Sequence, residues 1–125
     1  MARQAAAQPL RLEQSGLEKV SIPIHSPFLN CVVQQTEDVA QWRAGLKDLR
    51  AATAIRRRLE RAAAGNLGDV NAVGEGVSEM RIGLGAGYRL YYTVRERVVV
   101  FLLVGGVKST QTADIRRAID MAKEI

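Results

Sequence analysis

Apolar residues follow two rhythms along this chain, and the switch between them lays out the elements. From Val32 to Thr36 the side chains alternate enough for a first strand. Thr36 then suits a helix cap, with Glu37 and Asp38 in the first turn, where acidic groups favour the helix dipole. Val39, Trp42, Leu46 and Leu49 recur at helical spacing. A second helix spans about Leu49 to Ala64, with Ala52, Ile55, Leu59 and Ala62 on one face, and Gly65-Asn66 ends it. The two helices, joined near Gly45 to Leu49, form a helical hairpin. Gly65 to Gly76 is rich in Gly, Asn and Asp and reads as a loop.

Beyond that loop the rhythm shortens to two. Val77 to Ile82 and Tyr88 to Val94 read as strands linked by Gly83-Leu84-Gly85-Ala86-Gly87. A short turn at Arg95 to Arg97 leads to Val98 to Val104, an unbroken apolar run that suits a central strand covered on both faces. Connections this short make the three strands an antiparallel meander. After Gly105-Gly106 and a polar loop, a last helix over about Thr112 to Glu124 buries Ile115, Ala118, Ile119 and Ala122. The predicted class is α+β, a small antiparallel sheet with helices packed on one face.

The first stretch differs. All three prolines (Pro9, Pro23, Pro27) lie in it, and no hydrophobic period is sustained. Residues 1–30 therefore read as a flexible arm, with a short strand around Val20 to Ile24 as the one regular element they admit, and residues 31–125 as the folded domain.

Composition narrows the class. A chain of 125 residues, 47% hydrophobic and 25% charged, is one globular domain able to bury a core. The single cysteine, Cys31, excludes an internal disulfide and fits a reducing cytosol. The run Val98 to Val104 is too short to span a membrane, and Ala5-Ala6-Ala7 gives way at once to Gln8 and Pro9, so no signal peptide is read. A cytoplasmic protein without a membrane partner is expected. The net charge of +5 favours anionic partners, either nucleic acid or an acidic protein.

Strand alternation locates candidate chemistry. Met80 and Ile82 share a face with Leu90, Tyr92 and Val94, which must meet the helices. Glu79, Arg81, Arg89 and Tyr91 then share the opposite, open face, with Lys108 at its rim. Guanidinium groups fork onto phosphate oxygens, and a tyrosine stacks on a base or shares its proton. A half-exposed antiparallel sheet also carries charges without any function, so the pattern admits both readings. From Arg43 to Arg61 there are seven basic residues and two acidic ones, a local charge of +5 (7 − 2). Arg50, Arg57, Arg58 and Arg61 are the candidate phosphate contacts; a solvated helix face, or a dock for an acidic segment, accounts for them equally.

Other chemistries fail on spacing. No metal site or cofactor is expected: the one histidine, His25, is in the arm, and Asp69, Glu75 and Glu79 match no ion-binding loop. The strand followed by Gly105-Gly106-Val107-Lys108-Ser109 lacks the glycine that a phosphate loop needs where Leu102 and Val107 stand. Cys31 reads as a packed or incidental thiol rather than a nucleophile, and Trp42 as helix core.

Several blocks in colinear order resemble one family. They are Gly65-Asn66-Leu67-Gly68-Asp69, then Val73-Gly74-Glu75-Gly76-Val77-Ser78-Glu79-Met80-Arg81-Ile82, then Gly85-Ala86-Gly87-Tyr88-Arg89-Leu90-Tyr91-Tyr92, and last Gly105-Gly106-Val107-Lys108-Ser109-Thr110-Gln111 with Asp114-Ile115 and Ala118. Together they resemble the addiction module killer proteins, a HigB-like branch of the RelE/ParE toxin superfamily, from about Val32 to the end. The family has proline where Ala86 stands and an acid where Val107 stands, so the charge beside Lys108 differs here. Its members tend to begin near the first strand, which makes Val32 or Val33 a candidate alternative start.

The resemblance implies a RelE/ParE-like (microbial RNase-like) fold and the toxin of a type II toxin–antitoxin system. RelE-like members cut messenger RNA on the ribosome without a metal, the 2′-hydroxyl attacking the adjacent phosphate. Carried over by position, Arg81 and Arg89 would bind that phosphate and Lys108 would stabilise charge or move a proton. Tyr91 would orient the base or hydroxyl, and Glu79 would serve as general base or pair with an arginine. The implied partner is a cognate antitoxin, a small helix-turn-helix protein, bound to a toxin monomer. ParE-like members instead poison DNA gyrase without catalysis, and an inert homologue would bind only its antitoxin; the fold alone does not separate these.

Overall fold

The computed structural model describes residues 17–20, 32–96 and 99–125. They form one six-stranded mixed sheet with helices on both faces. Strand β1 (Leu17–Val20) lies at one edge, antiparallel to β2 (Val32–Thr36). Next come β6 (Val99–Val107), parallel to β2, then β5 (Tyr88–Arg95), β4 (Val77–Ile82) and β3 (Val70–Gly74), each antiparallel to its neighbour. Helices α1 (Glu37–Ala44) and α2 (Leu49–Ala63) connect β2 to β3. A 3-10 turn, Lys108–Thr110, leads from β6 into α3 (Gln111–Ala122).

Local chemistry sets these boundaries. The Thr36 hydroxyl accepts from the Val39 amide at 3.2 Å, capping α1, and donates to the Leu103 carbonyl at 2.8 Å, tying that cap to β6. Asp48 caps α2, accepting from the amides of Arg50 and Ala51. At the far end of α2, the Asn66 amide donates to Arg61 O and the Gly65 amide to Ala62 O. That pair of bonds needs a left-handed residue, and Gly65 takes φ +95°.

The helical hairpin covers one face of the sheet. Val33, Val39, Ile55, Leu59, Met80, Leu90, Tyr92 and Leu102 pack there, all buried. Each large aliphatic side chain so buried contributes about 1.5–3 kcal/mol relative to exposure. Helix α3 covers the other face over Val77, Tyr91, Phe101, Leu103 and Val104, through Ala118 and Ala122.

A bulge in β6 shapes this second face. Tyr91 pairs with Val104 and Tyr92 with Leu102, so Leu103 is an extra residue. Leu103 and Val104 consequently both join the core beneath α3. Past the bulge the alternation is reset: a Cβ on Gly105 would overlap the Trp42 ring of α1, and one on Gly106 would overlap the Asp114 carboxylate of α3. The paired glycines let a helix approach each face closely.

Five expectations are corrected. The sheet is mixed, because β2 and β6 are joined only by a long excursion and no hairpin forces them antiparallel. Helix α3 packs opposite the hairpin, so the face expected to be open is covered. The stretch read as a loop from Gly65 to Gly76 contains β3, an edge strand whose mostly exposed Asn71, Ala72 and Gly74 give no alternating signal. Its hairpin to β4 turns through Glu75 (φ +51°) and Gly76 (φ +81°). Strand β6 continues through Gly105-Gly106 to Val107, where a loop was expected. Leu17–Val20, read as part of a flexible arm, forms strand β1 paired with β2. The remainder of the expected arm, with His25 and the rest of the short strand expected around Val20 to Ile24, lies outside the described residues, as do Cys31, Arg97 and Val98.

Candidate functional site

Two cross-strand pairs form the centre of the site. In the antiparallel register of β4 and β5, Arg81 stands directly opposite Arg89, and Glu79 directly opposite Tyr91. All four point to the α3 side, because their alternate neighbours Met80, Ile82, Leu90 and Tyr92 fill the hairpin core. Two guanidinium groups directly opposite one another destabilise a sheet unless something offsets their repulsion.

Glu79 supplies part of that offset. Its carboxylate is 1% exposed, with Oε1 4.0 Å from Arg81 Nε and Oε2 3.9 Å from Arg89 Nε. These are ion-pair distances, too long for hydrogen bonds, and both Nε atoms are buried without a hydrogen-bond partner. Among the described residues, the one hydrogen bond to Glu79 from another side chain comes from α3: Gln111 Nε2 donates to Oε2 at 2.9 Å. Arg81 is 40% exposed at its side chain and reaches outward to Asp69, with Nη2 3.1 Å from Oδ1. The Arg89 side chain is only 12% exposed.

Lys108 joins the cluster at its rim. It follows β6 immediately, and its amide donates to Ala86 O at 3.4 Å. A Cβ placed on Gly87 would stand 3.2 Å from Lys108 Cβ and 3.5 Å from Arg89 Nη1. Gly87 takes φ +77°, so the turn requires a residue tolerant of that region and leaves room there for both cations. Arg81 and Arg89 thus flank one buried carboxylate, and Lys108 stands next to Arg89 at the rim.

Tyr91 departs most from expectation. It is fully buried between the sheet and α3, and its hydroxyl has no hydrogen-bond partner. Burial first, and then the carboxylates of Glu79 and Asp114, push its pKa up to about 12, with Arg89 opposing. Its ring faces no open surface, so it presents nothing for a base to stack on. Glu79 is likewise too enclosed to meet a substrate directly. Both corrections have one cause, the cover that α3 places over this face.

The basic helix divides as well. Arg50, Arg57 and Arg61 are exposed along one side of α2. Arg58 is not free for a ligand: it donates to the carbonyls of Arg81, Leu67 and Asp69 and clamps the segment after α2 onto β4. Burial, and then Arg61, lower its pKa. Among the described residues no group of three or more His, Cys, Asp or Glu is placed to hold a metal ion.

Sequence reading assigned Gln111 and Asp114 no role at the site. Asp114 is buried, accepts a hydrogen bond from the Thr110 hydroxyl and lies against Gly106. A signal was present: Gln111, Asp114, Ala118 and Ala122 recur at helical spacing, so two polar residues stand on the buried stripe of α3.

No family model matches the chain, and no solved structure matches it. A protein of Haemophilus influenzae, described only as uncharacterized, is 42% identical over 93 residues, covering 74% of this chain and 94% of its own length. The chain belongs to the family of that protein. Membership brings no activity with it, so the functional reading rests on the cluster just described and on the resemblance. No helix among the described residues is long and apolar enough to cross a membrane.

Proposed function

We propose that this chain is the toxin of a type II toxin–antitoxin pair, a RelE/ParE-type endoribonuclease that cuts messenger RNA on the ribosome in the cytoplasm. The observation that supports this most is the directly opposed pair Arg81 and Arg89, with Lys108 beside them and one buried carboxylate among them. Three cations stand near two carboxylates, Glu79 and Asp69, so positive charge is left over, and the part nearest solvent suits a phosphate. A structural ion-pair network would balance its charges; this one does so only partly, with Asp69 on the outer arginine.

In this reading the 2′-hydroxyl oxygen forms a bond to the adjacent phosphorus while the bond from phosphorus to the 5′-oxygen breaks. The hydroxyl proton leaves to water, and Lys108 gives a proton to the departing 5′-oxygen. Arg81 and Arg89 stabilise the charge that builds on the non-bridging oxygens. Glu79 holds the two guanidinium groups from beneath, and Tyr91 packs under them as a neutral phenol. A cognate antitoxin, a small helix-turn-helix protein, restrains the activity in the cell.

Induced expression without antitoxin tests this reading, with growth recorded and messenger RNA 5′ ends mapped. Growth arrest with new ends inside translated codons is expected. Arg89→Ala and Lys108→Ala should each lower cleavage about 10²–10³-fold, the usual scale for losing a group that stabilises transition-state charge. Arrest with intact messages and an SOS response would transfer the assignment to gyrase. Unimpaired growth would leave a protein that only binds its antitoxin.

A further inference from the structure

Glu79 stops short of the bonds its surroundings offer. A buried carboxylate between two guanidinium groups ordinarily closes to charge-assisted hydrogen bonds of about 2.7–2.9 Å. Here it stands 4.0 Å from Arg81 Nε and 3.9 Å from Arg89 Nε, and both nitrogens are buried without an acceptor. Tyr91, directly opposite Glu79, is not the competitor, since its hydroxyl has no partner either. Gln111 is. Its Nε2 donates at 2.9 Å to Oε2, the same carboxylate oxygen that faces Arg89. The donor is carried on the first residue of α3, a helix anchored in the core through Ala118 and Ala122.

We propose that Gln111 is a positioning residue that holds the Glu79 carboxylate off Arg89, so that this guanidinium keeps its charge for an anionic group at the rim. A carboxylate closed onto Arg89 would form a fully paired unit, with little charge left for a phosphate. A neutral amide suits the task, because it satisfies an oxygen of Glu79 and adds no charge of its own. Asp69 engages the other arginine from outside, 3.1 Å from Arg81 Nη2, so Arg89 is the member of the pair that depends on Gln111. A purely structural role predicts something different. If Gln111 only stabilised the fold, its loss would leave a buried carboxylate one bond short and cost stability. In the positioning role Arg89 replaces the lost bond, so stability is kept and the free charge is lost. The consequence for RNA cleavage rests on the ribonuclease reading; the restraint on Glu79 does not.

The test compares the full-length chain with Gln111→Ala and with Gln111→Lys, which keeps a donor at the position. The Arg89 Nε–H is followed by heteronuclear NMR and assigned by its loss in Arg89→Lys. Gln111→Ala is expected to shift this signal downfield and slow its exchange with water, with the urea midpoint unchanged or raised. Gln111→Lys should leave the signal as in the parent chain. Turnover on ribosomes programmed with messenger RNA should fall about tenfold in Gln111→Ala with KM unchanged, less than the roughly 10²-fold loss on misplacing a reacting group. A signal unmoved by Gln111→Ala, a lowered urea midpoint or lost fold in that variant, or a loss of activity through KM alone would each overturn the proposal. The expected NMR shift in a chain that cuts no RNA would uphold the restraint on Glu79 and sink the ribonuclease reading instead.

Discussion

The two faces of the sheet are built from the same strands yet differ in kind. On the hairpin side, Met80, Leu90, Tyr92 and Leu102 meet Ile55 and Leu59 in a core formed from apolar side chains. On the α3 side, Phe101, Leu103 and Val104 supply an apolar half, and Glu79, Tyr91 and Arg89 supply a polar half beneath Gln111 and Asp114. The first face gains from burial at almost every position, Tyr92 being the one member of that set with a polar group. The second takes a carboxylate and a phenol hydroxyl out of water, and the Tyr91 hydroxyl gains no hydrogen bond in return. A face that costs stability in this way is where functional chemistry is to be sought, while its neighbour maintains the fold.

Truncation on the hairpin face should have the largest effect. Leu59→Ala leaves a cavity among fully buried neighbours and should cost about 2–5 kcal/mol in urea unfolding. A loss well below that range would mean that α2 contributes less to the core than its packing implies.

The paired glycines compare the two faces directly. Gly106→Ala forces the Asp114 carboxylate and α3 away from β6 and should cost about 1–3 kcal/mol. Adding Asp114→Ala should restore part of that loss. Gly105→Ala, which meets Trp42 on the other face, should also destabilise, but Asp114→Ala should leave its effect unchanged. Equal rescue of both would mean that the faces are not mechanically separate.

Tyr91 gives the polar face a signature in alkali. Its pKa is raised from 10.0 to about 12 in the fold, so the unfolded chain releases this proton first. The contribution is unaffected below pH 10 and is lost as pH rises from 10 to about 12, at up to about 1.4 kcal/mol per pH unit. Tyr91→Phe should remove that slope and leave stability at neutral pH unchanged or slightly higher, since it deletes an unpartnered hydroxyl. Parallel unfolding curves for the two proteins from pH 9 to pH 12 would show that the phenol is not held in its buried place.

The smallest effect is expected where the helical layers touch each other outside the sheet. Arg117 of α3 lies 2.7 Å from Asp38 of α1, with both side chains about half exposed. Arg117→Ala should change stability by less than about 1 kcal/mol, and less still in high salt.

Both helices of the hairpin, the strands β4 and β5 and the run that became β6 were legible in the sequence, because their side chains repeat at intervals set by backbone geometry. Thr36 and Gly65 were legible as helix ends for the same local reason. The grouping of Glu79, Arg81, Arg89 and Tyr91 also followed from alternation alone, since residues two apart on a strand share a face whatever covers it. What alternation does not carry is the identity of the cover. That α3 lies over Glu79 and Tyr91, that Gln111 reaches Glu79, and that Arg58 is spent on backbone carbonyls depend on contacts between residues far apart in the chain, those of Gln111 and Arg58 being 32, 23, 11 and 9 positions apart. The edge strands β1 and β3 and the parallel pairing of β2 with β6 are likewise matters of long-range backbone hydrogen bonding, which leaves little trace in side-chain pattern. Periodicity fixes which face of each element a side chain occupies; only packing decides whether that face meets water, an apolar core or another charge.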